Sequence, residues 1–123
     1  MDAVAQAFDL SPEEARQAHD MALRVTQGEG AWAWDAAQLI SWGNEVDMVW
    51  QGVGQRLDRL VQARAGGHWW VIDFKSHENP HLQPLFLEQI RRYGQAVAQA
   101  HPDATVRLAF INAQGQWREV SFS

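Results

Sequence analysis

The chain contains no cysteine, which removes disulfide frameworks, thiolate zinc sites and thiol nucleophiles together and suits a reducing compartment. Any metal must then sit on Asp, Glu, His or backbone oxygens. No run of about 18 apolar residues exists to span a bilayer, and the opening MDAVAQAFDL lacks the basic start and apolar stretch of a signal peptide. The expectation is a soluble, cytoplasmic protein with no membrane partner. No G-x-x-x-x-G-K-[ST] string is present to cradle a nucleotide phosphate, so these residues are not expected to hydrolyse ATP. Positive charge is scarce too: 10 Lys+Arg stand against 15 Asp+Glu, a formal charge of −5. A surface that grips nucleic acid everywhere is excluded, because Lys and Arg supply most non-specific affinity for phosphate. Either DNA is not bound, or the acids gather where a cation offsets them.

The 123 residues, 46% hydrophobic, predict one compact domain spanning 1–123. The seven Trp read as large core side chains rather than a base-stacking set. Residues 1–10 carry no strong pattern. Ser11-Pro12-Glu13-Glu14 offers an N-cap, a Pro at the first helical position and a Glu for a capping box. A helix is expected from there to about Gln27, with Ala15, Ala18, Ala22 and Val25 as its apolar set and Gly28 as its stop. A second short helix capped by Asp35 is expected within 31–42, its Trp32, Trp34 and Trp42 packing under a sheet. This helical part, 1–42, precedes a sheet core over 43–123.

From Glu45 the hydrophobic period becomes two, predicting strands near 45–51, 55–63 and 68–75 in an antiparallel meander. A loop, a helix over about 84–100, and strands at 105–112 and 116–122 follow. The fold class is α/β, with a mixed central sheet flanked by helices.

The third strand breaks its apolar run with Asp73 and Lys75. Alternation puts both on one face with Val71, while Ile72 and Phe74 point to the other. Asp58 interrupts the second strand, fifteen residues earlier, at a separation that a hairpin would close; Glu45 lies on the strand before. Converging carboxylates repel and cost burial energy unless a cation binds. Mg²⁺ or Mn²⁺, hard cations with oxygen ligands, resolves that conflict. Lys75 then has a role beside an activated water or a phosphate transition state. The structural alternative is an ion-pair cluster, with Asp58 on Arg56 or Arg59 and Asp73 on Lys75. His77 and His81, in the following loop, read as solvated residues rather than a metal pair.

Gln55-Arg56-Leu57-Asp58-Arg59-Leu60-Val61, Trp70-Val71-Ile72-Asp73-Phe74-Lys75-Ser76 and Gln89-Ile90-Arg91-Arg92-Tyr93 resemble, in order and spacing, three motifs of the PD-(D/E)XK nuclease superfamily, in particular its RecB/AddA-like branch. The resemblance covers about residues 43–122. It implies a restriction-endonuclease-like αβββαβ core and a metal-dependent deoxyribonuclease, expected to be an exonuclease. Asp58 and Asp73 would be metal ligands with the backbone carbonyl of Phe74, Lys75 the catalytic lysine, and Glu45 a supporting acid. Gln89 and Tyr93, one helical turn apart, would support the site and contact a DNA strand. Arg92, beside Arg91, is a further candidate for phosphate contact. The branch carries a His on a helix before the first strand; His19 lies on a helix but lacks the family's preceding Gly, so that His either is His19 or lies upstream. The resemblance further implies a C-terminal nuclease module of a UvrD-like helicase acting in recombinational DNA repair. Its partners would be DNA, the helicase portion of its own chain and a second helicase-nuclease subunit. The alternative within the same fold is a catalytically reduced module that binds DNA or a partner.

Overall fold

The structure, a computed structural model, describes residues 11–122. The patternless lead-in at 1–10 lies outside the described residues. Helix α1 spans Pro12–Gln27, and Ser11 caps it by accepting from Glu14 N at 3.1 Å. The helix expected within 31–42 is not formed. Ala31–Trp34 and Ala36–Gln38 are instead two 3₁₀ turns, because Asp35 caps the second by accepting from Ala37 N and so interrupts the first. Each piece is too short to nucleate an α-helix. Strand β1, Leu39–Trp50, consequently starts six residues before the expected Glu45, and the sheet core reaches back past residue 43. The remaining elements are β2 (Val53–Ala63), β3 (Trp69–Phe74), a 3₁₀ turn (Pro80–Leu82), α2 (Pro84–Ala100), β4 (Val106–Ile111) and β5 (Trp117–Val120).

The five strands form one mixed sheet in the order β1-β2-β3-β4-β5. β1, β2 and β3 are an antiparallel meander, as expected, and Gln51-Gly52 turns its first hairpin with φ of 52° and 77°. Positive φ at both turn residues matches the right-handed twist of the flanking strands. β3 then crosses over through α2 to a parallel β4, and β5 returns antiparallel. The central pair is covered on both faces, which explains its nearly continuous apolar sequence.

Alternation on β3 and β4 divides the core. Trp70, Ile72, Ala109 and Ile111 pack with Val25 of α1, Ala33 and Leu39 on one face. Val71, Leu108 and Phe110 pack with Ile90, Tyr93 and Val97 of α2 on the other. Each helix thus takes one face of the sheet, giving the α/β architecture. No helix among the described residues is long and apolar enough to cross a membrane.

The C-terminus of α1 is held to the β4–β5 turn by one side-chain and one backbone hydrogen bond. Arg24 Nε donates to Ala113 O at 2.8 Å, and Glu29 N donates to Gly115 O at 3.2 Å. Gly115 has a φ of 77°, and a Cβ there would strike the Arg24 carbonyl, whereas Gly52, also at 77°, has open space around it. Gly52→Ala should therefore cost only the left-handed backbone penalty, about 1–2 kcal/mol. Gly115→Ala should cost clearly more in the same chemical-denaturation measurement, and equal losses would refute the close-approach account.

Candidate active site

The site forms where β2 and β3 stop pairing. Their ladder runs from Gln62↔Trp69 to Arg59↔Ile72. At the next position Asp58 replaces a main-chain partner with its side chain, Oδ2 accepting from Phe74 N at 2.9 Å. The β1–β2 ladder also skips here, passing from Asn44↔Arg59 to Val46↔Leu57, with Glu45 between them at φ 49°. Asp58 is thereby released from regular sheet on both sides, and its carboxylate, bonded to the amide of the residue after Asp73, is near enough to raise the Asp73 pKa.

Asp73 is 2% exposed. Lys75 Nζ lies 3.1 Å from Asp73 Oδ2, close enough for an ion pair but not aligned as a hydrogen bond, so that buried oxygen lacks a hydrogen-bonding partner. The ammonium donates instead to Gln89 Oε1 at 2.8 Å and sits 4.7 Å from the centre of the Phe86 ring. Phe86, Gln89 and Tyr93 recur at helical spacing, so α2 presents one stripe to the site while Ile90 and Val97 anchor it to the core. Tyr93 is buried, and its hydroxyl pKa is pushed up first by burial and then by the negative charges of Asp73 and Asp58.

Burial is also the largest influence on Asp73. Together with the neighbouring Asp58 carboxylate it raises the Asp73 pKa from 3.8 to about 7, against the opposing pull of Lys75. The alternative ion pairs for Asp58 are not made. Arg56 pairs with Asp47 at 2.9 Å. Arg59, 3% exposed, gives Nε and Nη2 to Ala33 O and Nη1 to Asn44 Oδ1, and stacks over Trp34 at 4.6 Å.

On the α1 side, Asp58 and Phe74 open into a cleft of about 680 Å³ shared with Trp34, Glu45, Ala18 and Ala22. Glu45 is exposed at this cleft and does not join the carboxylate pair. His19 is exposed and does not line the cleft, where the adjacent Ala18 lies instead. Arg92 pairs with Glu88 at 3.2 Å and lines a groove beside Trp50, away from the carboxylates. His77 is exposed and meets the edge of Phe86.

Two contributors were not singled out by sequence. Phe86, placed on the inward stripe of α2, also covers the lysine. Asn112, fully buried, donates to Glu78 O at 2.8 Å and Gln116 Oε1 at 2.9 Å and accepts from Gln114 N and Gln116 N. It pins the loop that follows Lys75. Nothing in a lone Asn after an apolar run signals this.

The donor set fits a hard divalent cation: two adjacent carboxylates, one with an oxygen short of a hydrogen bond, followed by the Phe74 carbonyl. Among the described residues no group of three or more His, Cys, Asp or Glu side chains gathers. Mg²⁺ tolerates this, since it commonly takes one or two carboxylates and keeps waters or substrate oxygens elsewhere. A comparison with models of known protein families finds no match, and a search of curated proteins finds none.

Because the folded state raises the Asp73 pKa from 3.8 to about 7, the metal-free fold binds a proton there that the unfolded chain has lost. This group's contribution to stability is thus present at low pH and lost as pH rises through about 7. Asp73→Asn should raise the melting temperature in EDTA at pH 8, with the gain shrinking as pH falls towards 4. A gain that grows on acidification would contradict the assignment.

Proposed function

We propose that the chain is a Mg²⁺- or Mn²⁺-dependent deoxyribonuclease domain that hydrolyses phosphodiester bonds, with the αβββαβ core of the PD-(D/E)XK nucleases. The observation that carries the reading is the buried Asp73 carboxylate with the Lys75 ammonium 3.1 Å away and Asp58, bonded to the amide of the next residue, beside it. Mutually repelling, desolvated acids make poor structural elements and a good cation seat.

Asp58, Asp73 and the Phe74 carbonyl would hold the cation. When bound, it would activate a water for in-line attack and neutralise charge on the phosphate. Gln89 fixes the Lys75 ammonium, leaving it further donors for a phosphate oxygen or the attacking water. The Asp58 bond to Phe74 N holds the strand end that presents the carbonyl. Tyr93 and Phe86 exclude water on the α2 side, which strengthens the electrostatics of the pair. Exonucleolytic action, attachment to a UvrD-like helicase in recombinational repair and a second helicase-nuclease subunit belong to this reading through the motif resemblance alone.

A second reading, a catalytically reduced module that binds DNA or a partner, draws on the exposed Glu45 and the lack, among the described residues, of a third ligating side chain.

Linear single-stranded DNA incubated with Mg²⁺ or Mn²⁺ should be cut, and EDTA should stop it. Lys75→Ala should lower the rate by about 10²-fold or more, and Asp73→Asn should abolish cleavage while stabilising the metal-free fold. Folded wild type that binds DNA without any metal-dependent cleavage would overturn the enzyme and favour the second reading.

A further inference from the structure

A second concave site lies on the α1 face of the sheet. Trp70 precedes Asp73 by three residues, so this site is about 10 Å along β3 from the carboxylate on that strand. The cavity, about 580 Å³, is lined by Trp32, Trp70, Arg64, Arg107, His68 and Ala37 among others. Its size is that of a small-molecule pocket, and its lining is unusual for a chain of charge −5.

The aromatic wall is rigid. Trp32 meets Trp70 edge-on at 5.8 Å, and Trp117 braces both at 5.4 and 5.2 Å. The cations are fixed as well. Arg64 donates to Ala37 O at 3.2 Å and to Leu39 O at 3.0 Å, so its charge is oriented by backbone without a carboxylate to cancel it. Arg107 sits 4.9 Å from the Trp70 ring centre and is steered by Glu119 at 2.8 Å. A guanidinium has five N–H donors, and these bonds engage two of them on each arginine. His68 Nδ1 is buried without a hydrogen-bond partner. No Asp or Glu lines the cavity.

We propose that this pocket binds a nucleobase and its attached phosphate, as a free nucleotide or as one unit of a single strand. The half-buried Trp32 and the Arg107 guanidinium laid over the buried Trp70 offer flat faces to a base, which gains by stacking on aromatic and Arg faces. The unused N–H donors of Arg64 and Arg107 suit phosphate oxygens, which guanidinium forks engage in pairs. An aliphatic anion would leave the rings unused, and a neutral aromatic would leave the guanidinium donors unused. The site does not depend on the carboxylates and goes beyond the nuclease reading.

The test is titration in EDTA, where cleavage cannot occur, followed by tryptophan fluorescence and calorimetry. The probes are dAMP and an (dA)₈ oligonucleotide without a terminal phosphate. Binding of either probe that weakens about tenfold in Arg107→Ala, the scale of one lost stacking partner, supports the proposal. Tighter binding of dAMP identifies the free nucleotide, and tighter binding of the oligonucleotide identifies the strand. Ala37→Glu, on an exposed turn at the rim, places a negative charge in the pocket without removing a packing contact. It should weaken binding equally and guards against misfolding of the arginine variant. Absence of binding, or affinity unaltered in both pocket variants, overturns the proposal whether or not the protein cuts DNA. Binding lost in both variants by a wild type that cuts nothing would sink the nuclease reading alone.

Discussion

Two neighbouring carboxylates at the point where β2 leaves β3 set the terms for the surrounding structure. Asp58 reaches Asp73 because it has exchanged a ladder position for a side-chain bond to Phe74 N, and Glu45 takes a left-handed backbone where the β1 pairing skips. Both are local costs of the kind that accumulate at functional sites and persist only when the neighbourhood over-determines them. Here the neighbourhood is the most regular part of the molecule. Val71, Ile72, Leu108 and Phe110 are fully buried on the parallel central pair, and Ile90 and Val97 lock α2 over it. The rigid crossover holds the repelling acids together, and Lys75 moderates the repulsion without removing it.

The distribution of cations follows the same logic. Ten residues are Lys or Arg, and Lys75 is the single lysine among them. A compact ammonium on a flexible stem can reach Asp73 and Gln89 together, whereas a planar guanidinium suits fixed forks. The arginines show that use. Arg24, Arg59, Arg64 and Arg91 each donate to main-chain carbonyls of turns, 3₁₀ segments or chain ends. They act as staples for backbone that no ladder satisfies. A formal count of positive charge is therefore a poor guide to how much of it faces a phosphate.

Most of the sheet was legible because its period is short and its punctuation strong. Gly52, Ala65-Gly66-Gly67 and the Pro84 helix start bracket β2, β3 and α2 within a residue or two of their observed limits. The Ala31–Gln38 stretch was not legible as two turns, because composition signals apolar density while the break depends on a single Asp35 side chain capping Ala37 N. In the site, alternation alone placed Asp73 and Lys75 on one face and Ile72 on the other, and helical spacing gathered Gln89 and Tyr93. Glu45 came from the motif resemblance, and the left-handed backbone it takes between Asn44↔Arg59 and Val46↔Leu57 carries no local sequence signal. Asn112 and the Arg59 bonds to Ala33 are contacts across 34 and 26 residues of sequence, beyond any local pattern.

The two faces of β3 give this small sheet two chemistries. Residues 71, 73 and 75 look towards α2 and carry the acid and the lysine; residues 70, 72 and 74 look towards α1 and carry the indole, the isoleucine and the Phe74 ring stacked 5.9 Å from Trp34. Changes on one face leave the side-chain packing of the other in place, and effects of well-separated substitutions with no shared partners add. Asp58 is the exception, since its charge acts on Asp73 while its side chain also lines the cleft on the α1 side. Communication between the two faces therefore has a natural route through Asp58 and the Phe74 amide it holds. The irregular pairing at this position is what lets one side chain belong to both faces.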